Sequence, residues 1–122
     1  MRRVLGSFVV VFLGVLLAGC AQVWSPGKAT YDAHCLSCHG ARGQGDGPFA
    51  AHLLIPPADL TVLAAENGGT FPRLRVRQSI EGLGRGEHFS GAMPEFSEVG
   101  GRGSAADAQL EAVVDYLERL QQ

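Results

Sequence analysis

The feature that most constrains this chain is a run of seven residues, HCLSCHG, at positions 34–40. It places Cys35 and Cys38 three residues apart, and His39 follows the second thiol directly. Residues three apart on a helical turn lie on the same face. One turn of chain therefore presents two sulfur atoms and one imidazole together.

Residues 35–39 match C-x-x-C-H, the attachment motif of c-type haem. Two thiols at this spacing can both form thioether bonds to the vinyl groups of one haem, and His39 can then turn a ring nitrogen onto the iron. Other interpretations explain less. A thioredoxin-like site lacks its βαβ context, a structural zinc site lacks a second ligand pair at matched spacing, and a plain disulfide leaves His39 unexplained. We predict one haem c, bound covalently through Cys35 and Cys38.

The N-terminal residues have the pattern of an export signal. Two arginines precede an apolar run, Val4–Leu17, and small residues follow before Cys20. The alternative is an uncleaved membrane helix, but the run is shorter than the ~20 residues that cross a bilayer. The sequence LAGC resembles the lipobox of bacterial lipoproteins, in which the cysteine becomes the lipidated N-terminus. We expect a lipoprotein signal peptide over 1–19, a lipidated N-terminus and linker over 20–26, and one domain over 27–121.

Export would leave an acidic protein that faces an oxidising compartment. The full chain has 10 basic and 12 acidic residues, and loss of Arg2 and Arg3 moves the formal charge from −2 to −4. This charge argues against nucleic acid as a partner. With lipid on Cys20, we expect a membrane-anchored protein that faces the periplasm or the cell exterior. So small a domain needs a covalent cross-link or a cofactor to complete its core.

The clearest helices lie at the two ends of the domain. Ser25 and Pro26 are typical of a helix start, and this first helix carries the cysteine motif at its C-terminal end. At the other end, Ser104-x-x-Asp107 has the pattern of a capping box. Apolar residues follow it at helical spacing: Leu110, Val113, Val114, Leu117 and Leu120.

The middle of the chain is less regular. Gly40–Pro48 is too rich in glycine for regular structure, and residues 56–60, PPADL, are expected to be extended. Residues 70–80 fit a helix closed by Gly82, although their alternation of arginines with apolar residues fits a strand equally well. The irregular stretch 82–103 has a length typical of functional or disordered segments. The pattern as a whole predicts an all-α protein.

These features resemble the class I c-type cytochromes, the small monohaem electron carriers of bacterial envelopes. The resemblance covers roughly residues 24–120 and rests on CLSCH, GDGP with PPADL, GAMPEF and the two end helices. It implies three to five short helices wrapped around one covalent haem, with the first and last helices crossing. In the family, a glycine and an aromatic residue on the first helix meet an aliphatic and an aromatic residue on the last. Gly27, Tyr31, Val113 and Tyr116 match that pattern.

The resemblance makes Met93 the second axial ligand of the iron. Met1 leaves with the signal, so Met93 is the only methionine of the mature chain, and GAMPEF resembles the family's distal-ligand loop. His88 is the main rival and would make a bis-histidine haem. His52 and His34 are weaker candidates, and His34 should point away from the haem because of its place beside the motif. A thioether raises the reduction potential relative to a second imidazole.

Further contacts are expected around these ligands. In the family a proline carbonyl accepts the other ring N–H of the proximal histidine, and Pro56 or Pro57 is the candidate. Leu60 is expected to pack against the haem face. A guanidinium matches a carboxylate in two-point geometry, so we expect one of four arginines to pair with a haem propionate. The four are Arg73, Arg75, Arg77 and Arg85.

The sequence thus predicts an electron carrier without catalytic residues, tethered to the membrane through Cys20. Its partners would be respiratory or periplasmic redox proteins at the membrane surface, with no small-molecule substrate, and a dedicated subunit of a larger oxidoreductase is a variant of the same prediction. The alternative is a haem enzyme or a gas or peroxide sensor, in which the sixth position is open or held by His88. A third interpretation is a structural lipoprotein with an empty motif.

Overall fold

The structure of the protein, a computed structural model, describes residues 25–86 and 89–122. This part of the chain contains six α-helices, one 3-10 turn and no strand, which confirms the all-α class. Three of the helices are single turns of four residues, so their number exceeds the expected three to five. The elements are α1 (Pro26–His34), α2 (Leu36–His39), the 3-10 turn (Ala50–His52), α3 (Leu63–Glu66), α4 (Arg73–Glu81), α5 (Phe96–Val99) and α6 (Ser104–Arg119).

The predicted signal peptide and the predicted lipidation site, Cys20, lie in residues 1–24, outside the described residues. Helix α1 begins at Pro26, one residue before the predicted domain boundary. Among the helices that the structure describes, none has the length and apolar character needed to cross a membrane.

Helices α1 and α6 cross at a glycine. Ser25 caps α1 by accepting a hydrogen bond from the backbone N–H of Lys28 at 3.0 Å, as the sequence predicts. In the first turn of the helix, a Cβ on Gly27 would lie 1.9 Å from the carbonyl oxygen of Ala112. Only glycine lets the two backbones approach so closely, and the predicted crossing of the end helices is therefore present.

The core lies along the inner face of α6. Tyr31 of α1 is completely buried against this face, and its ring centroid is 5.3 Å from that of Tyr116. Burying a Val or Leu side chain contributes about 1.5–3 kcal/mol, so this face dominates the stability of the fold. The buried side chains of α6 are Ala106, Leu110, Val113, Val114 and Leu117.

The start of α6 differs from the prediction. The N-cap is Gly103 rather than Ser104, and no side chain makes a capping hydrogen bond there. The capping-box prediction is wrong because Ser104 is already the first helical residue. Packing of the apolar face, rather than a cap, therefore stabilises this end of the helix.

The ambiguous segment before Gly82 is a helix. Val76 and Ile80, four residues apart, are the buried residues of α4, whereas a strand would bury alternate residues. Gly82 ends the helix with a φ of 91°, in the left-handed region that favours glycine. Arg73 ties α4 to α6, since its guanidinium nitrogens lie 2.6 Å from Asp115 and 2.5 Å from Glu118.

Candidate functional site

The cysteine motif forms one continuous helical turn. Cys35 ends α1, where its backbone N–H donates to the Tyr31 carbonyl at 2.8 Å, and the same residue starts α2. The N–H of His39 donates in turn to the Cys35 carbonyl at 2.9 Å. Cys35 and Cys38 form no disulfide with each other. Burial raises the pKa of the Cys35 thiol to about 11, and the neighbouring Cys38 adds to this rise.

A largely apolar cleft lies beside this turn and contains about 870 Å³ of space, part of it open to solvent. Five predicted site residues line it together: Cys35, Cys38, His39, Pro57 and Met93. The cleft is bounded mainly by apolar side chains that sequence analysis missed, and for most of them the signal was a large apolar residue outside the predicted helices. They include Leu53, Ile55, Ile80, Phe89, Phe96 and Val99.

A backbone carbonyl orients the imidazole of His39. Its Nδ1 lies 3.0 Å from the Ala58 oxygen, and because a carbonyl can only accept, Nδ1 carries the proton. The Nε2 lone pair is then available to a metal. Burial lowers the pKa of His39 from its ordinary value of 6.5, and the hydrogen bond to Ala58 opposes this shift. A neutral imidazole is the form that binds metals.

Met93 lies half-buried in a short turn, where its backbone N–H donates to the Ser90 carbonyl at 3.2 Å. Helix α5 begins three residues later and is anchored by the buried ring of Phe96. A capping box fixes this start, since the backbone N–H of Glu95 donates to the Glu98 carboxylate at 3.1 Å. The turn that carries Met93 is therefore held on its C-terminal side.

The donor set fits a haem c. Two thiols on one turn can form two thioether bonds, His39 offers a free ring nitrogen, and Met93 offers a thioether at the same cleft. The apolar walls suit a flat, mostly hydrophobic macrocycle. Within residues 25–86 and 89–122, no group of three or more His, Cys, Asp or Glu side chains is placed to hold a metal ion by itself.

A family model described as cytochrome c matches residues 25–121. The chain belongs to the cytochrome c family. A dihydro-heme d1 dehydrogenase of Pseudomonas aeruginosa is 34% identical over 107 residues, which are 86% of this chain and 17% of that protein. Cytochrome c-554(547) of Halothiobacillus neapolitanus is 44% identical over 46 residues, which are 36% of this chain and 50% of that protein. No solved structure matches significantly.

Both matches cover at most half of the relative's length. Membership of the cytochrome c family confirms the resemblance to class I c-type cytochromes and makes the chain a haem-based electron-transfer protein. It also implies covalently bound haem c, for which the C-x-x-C-H motif is the attachment point.

The hydrogen-bond partner of the proximal histidine differs from the prediction. The acceptor in this cytochrome c is the carbonyl of Ala58, not of Pro56 or Pro57, although both prolines line the cleft. Any residue can supply a backbone carbonyl, so the prolines of PPADL stiffen the segment without fixing which carbonyl faces His39.

Leu60 lies elsewhere than predicted. It is absent from the described residues that line the cleft, and its side chain packs against the buried core instead. Its backbone N–H donates to the Gly43 carbonyl at 2.6 Å, and its carbonyl accepts from Gln121 at 2.7 Å. Leu60 therefore joins the loop after the motif to the end of the chain.

The predicted arginine contacts also change. Arg73 pairs with Asp115 and Glu118, and Arg77 lies 3.3 Å from Glu81. Arg85 donates to three backbone carbonyls. Three of the four arginines predicted for a propionate therefore already have other partners.

The three other histidines considered as axial ligands do not all lie at the cleft. His34 was expected to point away from the haem, but it lines the cleft, where its ring meets Phe96 edge-on with centroids 6.3 Å apart. The turn from α1 into α2 directs it there. His52 is exposed beside Phe49. His88 lies outside the described residues.

Proposed function

We propose that this cytochrome c is a membrane-tethered carrier of single electrons, with His39 and Met93 as the axial ligands of one haem c. The observation that supports this proposal most is that Met93 lines the same apolar cleft as a His39 whose imidazole is already oriented by Ala58. Imidazole and thioether together are the ligand pair of high-potential cytochromes.

The residues of the chain would serve electron transfer by keeping the haem and its ligands in fixed positions. When bound, haem supplies an iron that accepts and releases one electron. The Ala58 carbonyl fixes the ring of His39, and two thioether bonds from Cys35 and Cys38 would fix the macrocycle. With haem bound, the apolar walls would limit water around the ligands, so little solvent would have to reorganise as the charge changes.

Exposed apolar side chains beside the cleft support docking of a redox protein. Leu54 is fully exposed, and its neighbour Ile55 is 42% exposed while also lining the cleft. Phe49 is 52% exposed. Electrons would pass between proteins at this edge, because apolar contacts there allow close approach without a fixed set of charges.

The membrane tether is proposed from LAGC and Cys20 alone. Expression of the full chain with radiolabelled fatty acid tests it, with Cys20→Ser as the control. Label in the wild-type protein and none in the variant is the expected result. An exported wild-type protein that carries no label would contradict the tether.

The ligation is tested by the optical and magnetic spectra of the ferric holoprotein with and without Met93→Ala. We expect a six-coordinate, low-spin wild type and a high-spin variant, with His88→Ala unchanged as the control. A wild type that is already five-coordinate, or spectra that do not change on substitution of Met93, would reject Met93 as the axial ligand. The haem enzyme or sensor would then be favoured.

A second candidate is the electron-transfer subunit of a larger enzyme. The relative named dihydro-heme d1 dehydrogenase matches most of this chain with only 17% of its own length, so a cytochrome c domain of this kind occurs beside other domains. Size measurement of the holoprotein extracted from its native membrane in mild detergent separates the two. A free carrier is expected to elute at the size of the single chain. A subunit is expected to elute at the larger size of a stable complex.

A further inference from the structure

Arg85 makes three hydrogen bonds, all to backbone carbonyls. Its Nε donates to Ser79 at 2.9 Å, its Nη1 to Met93 at 2.8 Å and its Nη2 to Pro94 at 3.1 Å. The guanidinium carbon also lies 4.7 Å from the ring centroid of Phe89, within cation–π range. One side chain thus contacts both ends of the turn that carries Met93.

These bonds join an irregular segment to a helix. Ser79 lies in the last turn of α4, which the buried side chains of Val76 and Ile80 hold in the core. A cation at the C-terminal end of a helix is also favoured by the helix dipole. Arg85 therefore fixes the backbone of Met93 relative to the core.

Met93 depends on such support because a thioether is a neutral, weakly held ligand. Its occupancy of the iron is set by how often the loop presents the sulfur at the right place. Helix α5 anchors the turn on one side through Phe96. Arg85 holds the Met93 and Pro94 carbonyls directly and contacts Phe89 on the N-terminal side of the turn.

We propose that Arg85 is the positioning residue for Met93, and that its fork of carbonyl contacts keeps the sulfur at the iron. This inference rests on the proposed His39 and Met93 ligation. The planar guanidinium is required, because a lysine ammonium keeps the charge but cannot donate to three carbonyls in a fixed geometry.

The test is the affinity of the ferric holoprotein for added imidazole, which binds only when the sixth ligand leaves. We expect Arg85→Lys and Arg85→Gln each to bind imidazole about tenfold more tightly, as the loss of one to two hydrogen bonds of about 1 kcal/mol predicts. Arg119→Gln, at an exposed site on α6, is expected to match the wild type. Both Arg85 variants should also lose part of the sulfur-dependent optical signature.

Arg85→Lys separates positioning from charge. Imidazole affinity equal to the wild type in this variant would overturn the proposal, because a merely electrostatic role survives the substitution. Should Arg85→Gln fail to accumulate as holoprotein, Arg85→Lys decides alone. A wild type that binds imidazole as tightly as Met93→Ala would instead reject the ligation on which the inference rests.

Discussion

The hydroxyl of Tyr31 donates a hydrogen bond to the carbonyl oxygen of Gly40 at 2.7 Å, and Tyr31 is completely buried. Gly40 ends the motif turn directly after His39. Tyr31 itself lies in the crossing of α1 and α6. The bond therefore couples the packing of the end helices to the position of the proximal histidine.

Replacing Tyr31 by phenylalanine removes this bond and keeps the ring. We expect Tyr31→Phe to lower the free energy of unfolding by about 1 kcal/mol, the usual net value of one hydrogen bond. Chemical denaturation of the holoprotein measures it. Tyr116→Phe is the control, since its hydroxyl makes no hydrogen bond within residues 25–86 and 89–122. Equal losses in the two variants would contradict a specific role for the Gly40 contact.

The same phenol makes stability depend on alkaline pH. Burial raises the pKa of Tyr31 above its ordinary value of 10, so the folded protein keeps a proton that the unfolded chain releases. This contribution to stability is complete below pH 10 and is lost as the pH rises further. Unfolding measured at several pH values should show a smaller alkaline loss in Tyr31→Phe than in the wild type, and parallel curves would refute the assignment.

Gly27 is predicted to be essential to the helix crossing. In Gly27→Ala the new Cβ meets the Ala112 carbonyl, and a backbone atom cannot rotate away. Overpacking costs about 1–3 kcal/mol, more than the roughly 1 kcal/mol that alanine gains over glycine within a helix. Thermal unfolding should therefore show a lower midpoint. Gly86→Ala, where a Cβ meets open space, should stay within about 0.5 kcal/mol of the wild type.

Gly45 lies between the proximal histidine and the segment that holds it. Its N–H donates to the His39 carbonyl at 2.9 Å, and a Cβ there would lie 2.4 Å from the Pro57 oxygen. Gly45→Ala should push that segment away and weaken the hydrogen bond from His39 to Ala58. A less basic imidazole stabilises ferric iron less, so we expect a higher reduction potential by voltammetry.

The matched control for this substitution is Gly68→Ala. Both glycines have a positive φ, 78° at Gly45 and 69° at Gly68, but a Cβ on Gly68 meets nothing within 4 Å. At either position, placing alanine at a positive φ destabilises the folded backbone by about 1–2 kcal/mol. Only Gly45→Ala should change the potential, and a shift in both would trace the effect to general destabilisation.

The sequence alone predicts a structural feature when that feature depends on the chemistry of particular side chains. Two cysteines and a histidine at fixed spacing predict the haem attachment turn, because the motif depends on side-chain chemistry at known intervals. The helix crossing at Gly27 and Tyr31 follows instead from the resemblance to class I c-type cytochromes. The sequence does not decide between helix and strand for α4, since its alternating arginines satisfy both periods over so short a segment. Burial of Val76 and Ile80 in the folded protein decides it.

Contacts made by the backbone were beyond prediction. The carbonyl of Ala58 has no signature in the sequence, and the prolines before it suggested a neighbouring carbonyl instead. Arg85 is one of four arginines among which the sequence predicts a partner for a haem propionate, yet its own partners are three carbonyls that only the tertiary structure brings together.

The central claim is that one haem is bound covalently through Cys35 and Cys38. The most direct test is the mass of tryptic peptide 29–42, released after Lys28 and Arg42 from the denatured, exported protein. This peptide contains both thiols and excludes the proposed lipid on Cys20. A mass one haem above that of the free peptide is the predicted result. A peptide with two free thiols or a disulfide, and no haem, would contradict the account.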